Sequence, residues 1–399
     1  MRIGTSSVVV AAFVGPGTVL TCAIAGLKYG YALGWVLLFA VGATFVLQSY
    51  AAALGILLGK GLGEAIRSFA ERPAIRMVLF GLVILGLWVG SAAFEMGNLM
   101  GAAIGIQVLS GGEQLAREFI LGLGVLAGLI LLLQLHRLIH FFSWMVVGMA
   151  GLFMIAVLLL PVQWGKAVEG LFLPTVPEGS LVTIVALLGT TIVTYNLFLH
   201  ASVTRAYWKN WANKPEAFRR EWVSMAVFLL IGGLVSYAIM LVGAAMRPHV
   251  KEVSQVQELA ILLEPVGGAI ARYLFGLGLF AAGITSAVTA PMAAASGIQE
   301  ILSPTRQPDS RFFRGIWLSV LGAGLFFGLL GWSPIQAIIA AQAANGVLLP
   351  LMAGFMVFLV RKYAMQILPQ WYHILGYTVV GICAVLGGRM LWWVWTQLQ

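Results

Sequence analysis

Two polar segments interrupt apolar stretches of this chain, and their residue types suit the binding of a small solute. The first reads GPGT at residues 15–18, and the second reads GTTIVTYN at residues 189–196. Proline removes a helix hydrogen bond and clashes with the preceding turn. Freed backbone groups are tolerated inside a lipid layer only where they line a cavity. We therefore expect unwound helix at 15–18 and at about 190–195, with both breaks facing one binding site.

Ionisable residues also lie deep within apolar stretches. Glu95 is in the segment FEMGN, with Asn98 three residues later, and His200 follows Asn196 by one helical turn. A buried charge costs roughly 2.5–3.5 kcal/mol on insertion scales, so such a residue marks a pathway or a proton relay by default. The alternatives are a protonated structural glutamic acid and a structural histidine, each hydrogen-bonded to a neighbouring helix.

The elements that must position these residues are membrane-spanning helices. Of the 399 residues 61% are hydrophobic and only 9% are charged, whereas soluble proteins carry about 25% charged residues. A helix needs about 20 apolar residues to cross the hydrocarbon layer. Eleven runs qualify, at approximately residues 6–27, 33–58, 77–106, 118–134, 142–162, 180–200, 222–246, 267–297, 315–331, 335–360 and 372–395. We predict an all-α polytopic membrane protein with a single transmembrane domain over residues 1–399.

The net charge of +9 reflects membrane orientation rather than nucleic-acid binding. Sixteen of the 23 lysines and arginines fall in the loops on the side of the N-terminus, and five fall on the opposite side. This bias places the N-terminus in the cytoplasm and, with eleven spans, the C-terminus outside an inner membrane. The two cysteines lie within apolar runs and form no disulfide or metal motif. We expect no cofactor, no nucleic acid and no obligate protein partner.

The two interrupted spans hold corresponding positions if the chain contains two five-helix repeats. The repeats would cover about residues 6–162 and 180–360, with an extra helix at about 372–395. A pair of broken spans in corresponding positions is a good sequence indication of a transporter site. The alternative is that Gly and Pro, which are common in membrane helices, merely kink each span.

Several motifs resemble the Nramp family of proton-coupled divalent-metal transporters. They are AGLKYGY at 25–31, LQ at 47–48, LGI at 54–56, GKGLGE at 59–64, NLFLHA at 196–201 and AAGITS at 281–286. Their order and spacing follow the family over most of the chain. The resemblance implies a LeuT-like fold with 5+5 inverted repeats, broken helices 1 and 6, and alternating access.

The resemblance does not carry the metal ligands of the family with it. The family motif DPGN aligns with GPGT, so the metal-binding Asp and Asn positions are Gly15 and Thr18 here. The family motif MPH aligns with VTY, which puts Val193 at the thioether position, and Thr190 falls at a family carbonyl ligand. A transition-metal dication is selected by soft ligands such as Met. No residue here is a confident metal ligand.

The resemblance also implies a proton pathway and one further substrate contact. Glu95 matches an acidic position of the family's proton route, and Asn98 replaces its next acid. Tyr195 replaces a proton-linked His, and His200 resembles a His near the cytoplasmic route. The family has two glutamines six residues apart, and Gln336 is the first of such a pair here.

These observations predict a membrane transporter and not an enzyme, coupled to protons and working by alternating access. The predicted substrate site consists of Gly15, Pro16, Gly17, Thr18, Thr190, Val193, Thr194 and Gln336. The predicted proton pathway consists of Glu95, Asn98, Tyr195 and His200. Two substrate classes fit: a hard divalent cation such as Mg²⁺, and a small polar organic solute such as an amino acid or organic acid. A non-transporting, receptor-like relative is a third interpretation.

Overall fold

The chain folds as a bundle of helices. A computed structural model describes residues 15–69, 73–111, 117–247, 260, 263–303, 310–331, 333–364 and 368–398, and over these ranges the regular secondary structure is α-helix. The helices are α1 (Pro16–Tyr29), α2 (Gly34–Ile56), α3 (Leu62–Phe69), α4 (Pro73–Ser110), α5 (Arg117–Leu132), α6 (His136–Leu159), α7 (Trp164–Phe172), α8 (Leu181–Thr191), α9 (Thr194–Tyr207), α10 (Lys214–Met246), α11 (Glu264–Leu302), α12 (Arg311–Gly328), α13 (Pro334–Ala364) and α14 (Gln370–Leu398).

The predicted all-α membrane fold is confirmed. Eight helical segments of the described chain are long and apolar enough to cross a membrane, with α8 and α9 together forming one of them. The helices α1, α5 and α12 cover three further predicted spans. Residues 6–14 of the first predicted span lie outside the described residues. Two short helices, α3 and α7, connect neighbouring spans.

Corresponding helices of the two halves make corresponding contacts. Helix α1 packs on α10, and α9, which follows the second break, packs on α2. Both contacts depend on a glycine: a Cβ at Gly26 of α1 would overlap the Met240 carbonyl, and a Cβ at Gly55 of α2 would overlap the Ala201 carbonyl. Small residues allow membrane helices to approach this closely. The first and sixth spans are thereby held against rigid neighbours.

The sixth span is broken as the sequence predicts, but over fewer residues, and the described part of the first span begins at residue 15. Gly15 is extended (φ −84°, ψ 173°), and α1 begins at Pro16, so 16–18 are helical rather than unwound. Proline at the first helical position has no N–H to lose and suits the start of a helix. In the sixth span only Ile192 and Val193 leave the helical conformation. Thr191 remains helical and donates its hydroxyl to the Leu187 carbonyl at 2.9 Å.

Candidate functional site

A direct hydrogen bond joins the two broken spans. The hydroxyls of Thr18 on α1 and Thr190 on α8 are 2.9 Å apart, and either can be the donor. Both side chains are buried. The polar segments of the two spans are therefore in direct contact.

Asn345 of α13 holds the second break in its open geometry. Its side-chain nitrogen donates to the carbonyls of Gly189 at 2.8 Å and of Ile192 at 2.9 Å. Its side-chain oxygen accepts from the Thr194 hydroxyl at 2.8 Å and from the Thr194 backbone N–H at 3.5 Å. Unwinding leaves carbonyls without helical partners, and Asn345 supplies two of the missing donors. Our sequence analysis did not assign it a role.

Gln342, and not the predicted Gln336, lies beside the polar segment of the first span. Gln336 lies in the first turn of α13 and is exposed, so it does not join the other predicted residues. Gln342 is buried, and its amide lies where a side chain at Gly17 would be. Its Oε1 makes no hydrogen bond within the described chain. Six residues along a helix span about 9 Å, which separates the end of α13 from the middle of the bundle.

The other predicted substrate residues lie at or beside the breaks. Val193 is buried in the break itself, and Pro16 packs against Gly101 of α4. Ser286 of α11 points at Gly15, with its oxygen 3.3 Å from where a Cβ would lie. Each of these groups is uncharged. Within the described residues there is no group of three or more His, Cys, Asp or Glu that could hold a metal ion.

Helix ends supply most of the local electrostatics at this site. The N-cap residue of α1 is Gly15 and that of α9 is Val193, and neither makes a side-chain capping hydrogen bond. The partial positive charge of two helix N-termini is therefore at the breaks, together with the partial negative charge at the C-terminus of α8. The N-terminus of α1 can therefore offer backbone N–H groups to an anionic group.

The proton-pathway candidate Glu95 lies close to the breaks but faces a different helix. A Cβ at Gly324 of α12 would be 2.5 Å from the Cβ and Cγ of Glu95. Glu95 is fully buried, Asn98 is one turn further along α4, and no hydrogen bond of good geometry reaches either carboxyl oxygen from a described residue. Tyr195 packs its ring on the preceding Phe94, with 5.5 Å between centroids. The structure thus brings Glu95, Asn98 and Tyr195 into one region beside the site.

His200 belongs to a separate buried cluster nearer the end of the bundle that we predict to be cytoplasmic. Its Nε2 is 3.9 Å from a carboxylate oxygen of Glu221 on α10, and the indole N–H of Trp208 donates to the other oxygen at 2.9 Å. Both His200 and Glu221 are buried. Our sequence analysis missed Glu221 because it lies one residue before the predicted seventh span. Its position next to that span was the available signal.

A charged cluster closes the same end of the bundle. Arg205 of α9 donates to Glu64 of α3 at 2.6 Å and lies 3.5 Å from Glu300 of α11. Glu300 also accepts from the Ser202 hydroxyl at 2.6 Å and from the Gly63 backbone N–H at 3.2 Å. The GKGLGE motif thus contributes to an ion-pair network between α3, α9 and α11. These charges are separate from the breaks.

The helical bundle and its paired breaks define a transporter of the LeuT-like fold. The chain belongs to the Nramp family, because the family profile described as natural resistance-associated macrophage protein-like matches residues 6–393. The divalent metal cation transporter MntH of Verminephrobacter eiseniae is 28% identical over 397 residues, covering 96% of this chain and 86% of that protein. The family consists of membrane transporters, so the chain is a multi-pass membrane protein and not an enzyme.

Solved structures share the fold. A mutant of the Eremococcus coleocola manganese transporter has a TM-score of 0.73 at 19% identity, and the match covers 96% of this chain and 84% of that one. The nucleobase-cation symporter Mhp1, with bromovinylhydantoin bound, has a TM-score of 0.55 at 15% identity, and the match covers 98% and 92%. The same architecture therefore serves proteins that bind very different molecules.

Proposed function

We propose that this protein is a proton-coupled secondary transporter of a hard divalent cation, Mg²⁺ in particular, working by alternating access. The observation that carries the proposal is the uncharged site in which Thr18 and Thr190 share a hydrogen bond and the Gln342 amide lies against Gly17. Mg²⁺ prefers oxygen ligands and keeps several of its waters. Hydroxyl and amide oxygens can accept hydrogen bonds from a hydrated ion without replacing its whole inner shell.

The same site disfavours the transition metals that soft ligands select. Val193 lies at the position of the family's thioether, and Gly15 lies at the position of its carboxylate. Without a carboxylate or a thioether, a transition-metal dication has too little compensation for lost water and no preference over Mg²⁺ or Ca²⁺. We expect no tight, saturable uptake of Mn²⁺ or Fe²⁺.

We assign the coupling of transport to protons to Glu95. It is a fully buried carboxyl on the helix that passes the breaks, and its polar neighbour among the described residues is Asn98, one turn further along that helix. Burial disfavours the charged form of a carboxyl, so a change of solvent access can make it release or take up a proton. His200, next to Glu221, is the second candidate for this role.

The test is ion uptake into proteoliposomes containing the purified full-length protein. We expect saturable Mg²⁺ uptake that a pH gradient drives, with Mn²⁺ a weak competitor. The variant combining Gly15→Asp, Thr18→Asn and Val193→Met restores the family pattern, and a Cβ at Gly15 meets only Ser286 at 3.3 Å. This variant should show stronger competition by Mn²⁺ than the wild type. Tight Mn²⁺ uptake by the wild-type protein would refute the proposal.

A small polar organic solute is the second candidate, and the helix ends favour it. The N-terminus of α1, whose N-cap Gly15 makes no side-chain hydrogen bond, suits a carboxylate, as in other broken-helix transporters. A panel of amino acids and organic acids screened by thermal unfolding separates the two candidates. One stabilising solute, with no response to Mg²⁺, would establish the organic substrate.

A further inference from the structure

We infer that the side-chain amide of Asn345 takes the place of a bound cation at the second break. It is a positioning residue that keeps the break open and withdraws two backbone carbonyls from the substrate. The inference rests on the proposed function only in that the breaks form the substrate site. It does not depend on which solute is carried.

The orientation of the Asn345 amide is fixed by its neighbours. The carbonyls of Gly189 and Ile192 can only accept hydrogen bonds, so the NH₂ group must face them. The backbone N–H of Thr194 can only donate, so the amide oxygen must face it. If the amide oxygen and nitrogen were exchanged, the oxygen would face the two carbonyl oxygens and the NH₂ group would face the Thr194 N–H. Neither pair can form a hydrogen bond. The side chain is fully buried, which excludes water as an easy substitute.

The role of this amide follows from what an unwound helix requires. Freed carbonyls at membrane depth each cost several kcal/mol unless something satisfies them. In broken-helix transporters unwound carbonyls coordinate ions. Here the NH₂ group of Asn345 presents two N–H donors to the carbonyls of Gly189 and Ile192. The break is therefore held without an ion, and these two carbonyls are not available as ligands.

Replacing the amide by a carboxylate removes the donors and makes a cation necessary at the break. In Asn345→Asp the nitrogen becomes an oxygen that faces two carbonyl oxygens, and the resulting repulsion has to be relieved. The carboxylate, the two carbonyls and the Thr194 hydroxyl together form a set of oxygen ligands of the kind that Ca²⁺ accepts with flexible geometry. The variant loses the NH₂ donor of Asn345, and we expect its second break to be stable only when a cation is bound there.

The experiment is thermal unfolding of the purified full-length protein in detergent, with and without millimolar Ca²⁺. Asn345→Asp should unfold at a lower temperature than the wild type when Ca²⁺ is absent. Added Ca²⁺ should raise its unfolding temperature by at least about 3 °C more than it raises that of the wild type. Gln336→Glu is the matched control, because it makes the same change of amide to carboxylate at an exposed position of the same helix. It should show no added response to Ca²⁺.

A second variant keeps the inference testable if the aspartate form folds poorly. Asn345→Leu preserves the size of the side chain but removes both donors, so it should be destabilised and Ca²⁺ should not rescue it. Recovery of folded Asn345→Asp only when Ca²⁺ is present during extraction would support the inference. Wild-type stability of Asn345→Leu would overturn it, as would an Asn345→Asp variant that folds and responds to Ca²⁺ no more than the wild type.

Discussion

The breaks and the surroundings of Glu95 are neighbouring regions on opposite faces of α4, and they treat polar groups differently. On one face of α4, Gly101 contacts Pro16, and a Cβ at Gly90 would lie 3.9 Å from the Thr194 hydroxyl, so this face borders the breaks. On the other face Glu95 lies against Gly324 of α12. At the breaks Thr18 pairs with Thr190 and Asn345 pairs with the backbone of the second break, whereas the Glu95 oxygens have no partner of good geometry among the described residues.

In the proposed mechanism, this difference separates substrate binding from proton transfer. The break site is built from neutral groups, and Thr18, Thr190 and Asn345 are hydrogen-bonded there. An unpaired buried carboxyl is costly in its charged form, and that cost makes its protonation sensitive to solvent access. One helix thus lies between a region suited to holding a neutral or hydrated solute and a region suited to gaining and losing a proton.

The largest expected effect comes from removing the titratable group. Glu95→Gln keeps the shape of the side chain but cannot release a proton. If Glu95 couples protons, the variant should fold, bind substrate and exchange it across a membrane without a pH gradient. It should lose concentrative uptake driven by that gradient, measured in the same proteoliposomes as exchange.

The control for this prediction is a second buried ionisable group. His200→Gln removes the other candidate, which is paired with Glu221 rather than placed beside the breaks, and it should leave gradient-driven uptake largely intact. Accumulation at the wild-type level in Glu95→Gln would make Glu95 structural. Loss of accumulation in His200→Gln instead would move the coupling role to the His200–Glu221 cluster.

An intermediate effect is expected at the contact between Gly17 and Gln342. A Cβ at Gly17 would overlap the Gln342 amide, so Gly17→Ala must displace that side chain from the site. We expect roughly tenfold weaker apparent affinity for the transported solute, about 1.4 kcal/mol. Gly15→Ala is the matched control, because its Cβ meets only the Ser286 hydroxyl at 3.3 Å. Equal affinities of the two variants would show that Gln342 does not contribute to binding.

The membrane fold, the family and the approximate position of both breaks could be predicted from the sequence. These features are visible in short stretches of sequence: long apolar runs, the GPGT and GTTIVTYN segments and the ordered motifs. Their interpretation does not depend on contacts between distant residues. The exact bounds of the second break were not predictable, because they depend on hydrogen bonds from Asn345 of a distant helix.

Contacts between helices that are distant in the sequence could not be predicted either. The choice of Gln342 over Gln336 and the role of Asn345 depend on where α13 begins and which of its faces turns toward α8. The spacing of glutamines along one helix contains no information about that rotation. Glu221 was missed because it lies one residue before the predicted seventh span, and its contact with His200 joins two different helices.

The smallest expected effect concerns the hydrogen bond that joins the two breaks. Thr18→Val keeps the volume of the side chain but removes the hydroxyl that is 2.9 Å from Thr190. A buried hydrogen bond of this kind contributes about 1 kcal/mol, which corresponds to about a fivefold change in apparent affinity. Thr18→Ser retains the hydroxyl and should stay close to the wild type in both uptake and unfolding temperature.

Because this bond links two uncharged groups, its loss should leave the pH dependence of uptake unchanged, in contrast to Glu95→Gln. A shifted pH profile in Thr18→Val would mean that the breaks and the Glu95 region are coupled through α4, and the separation between them would have to be abandoned.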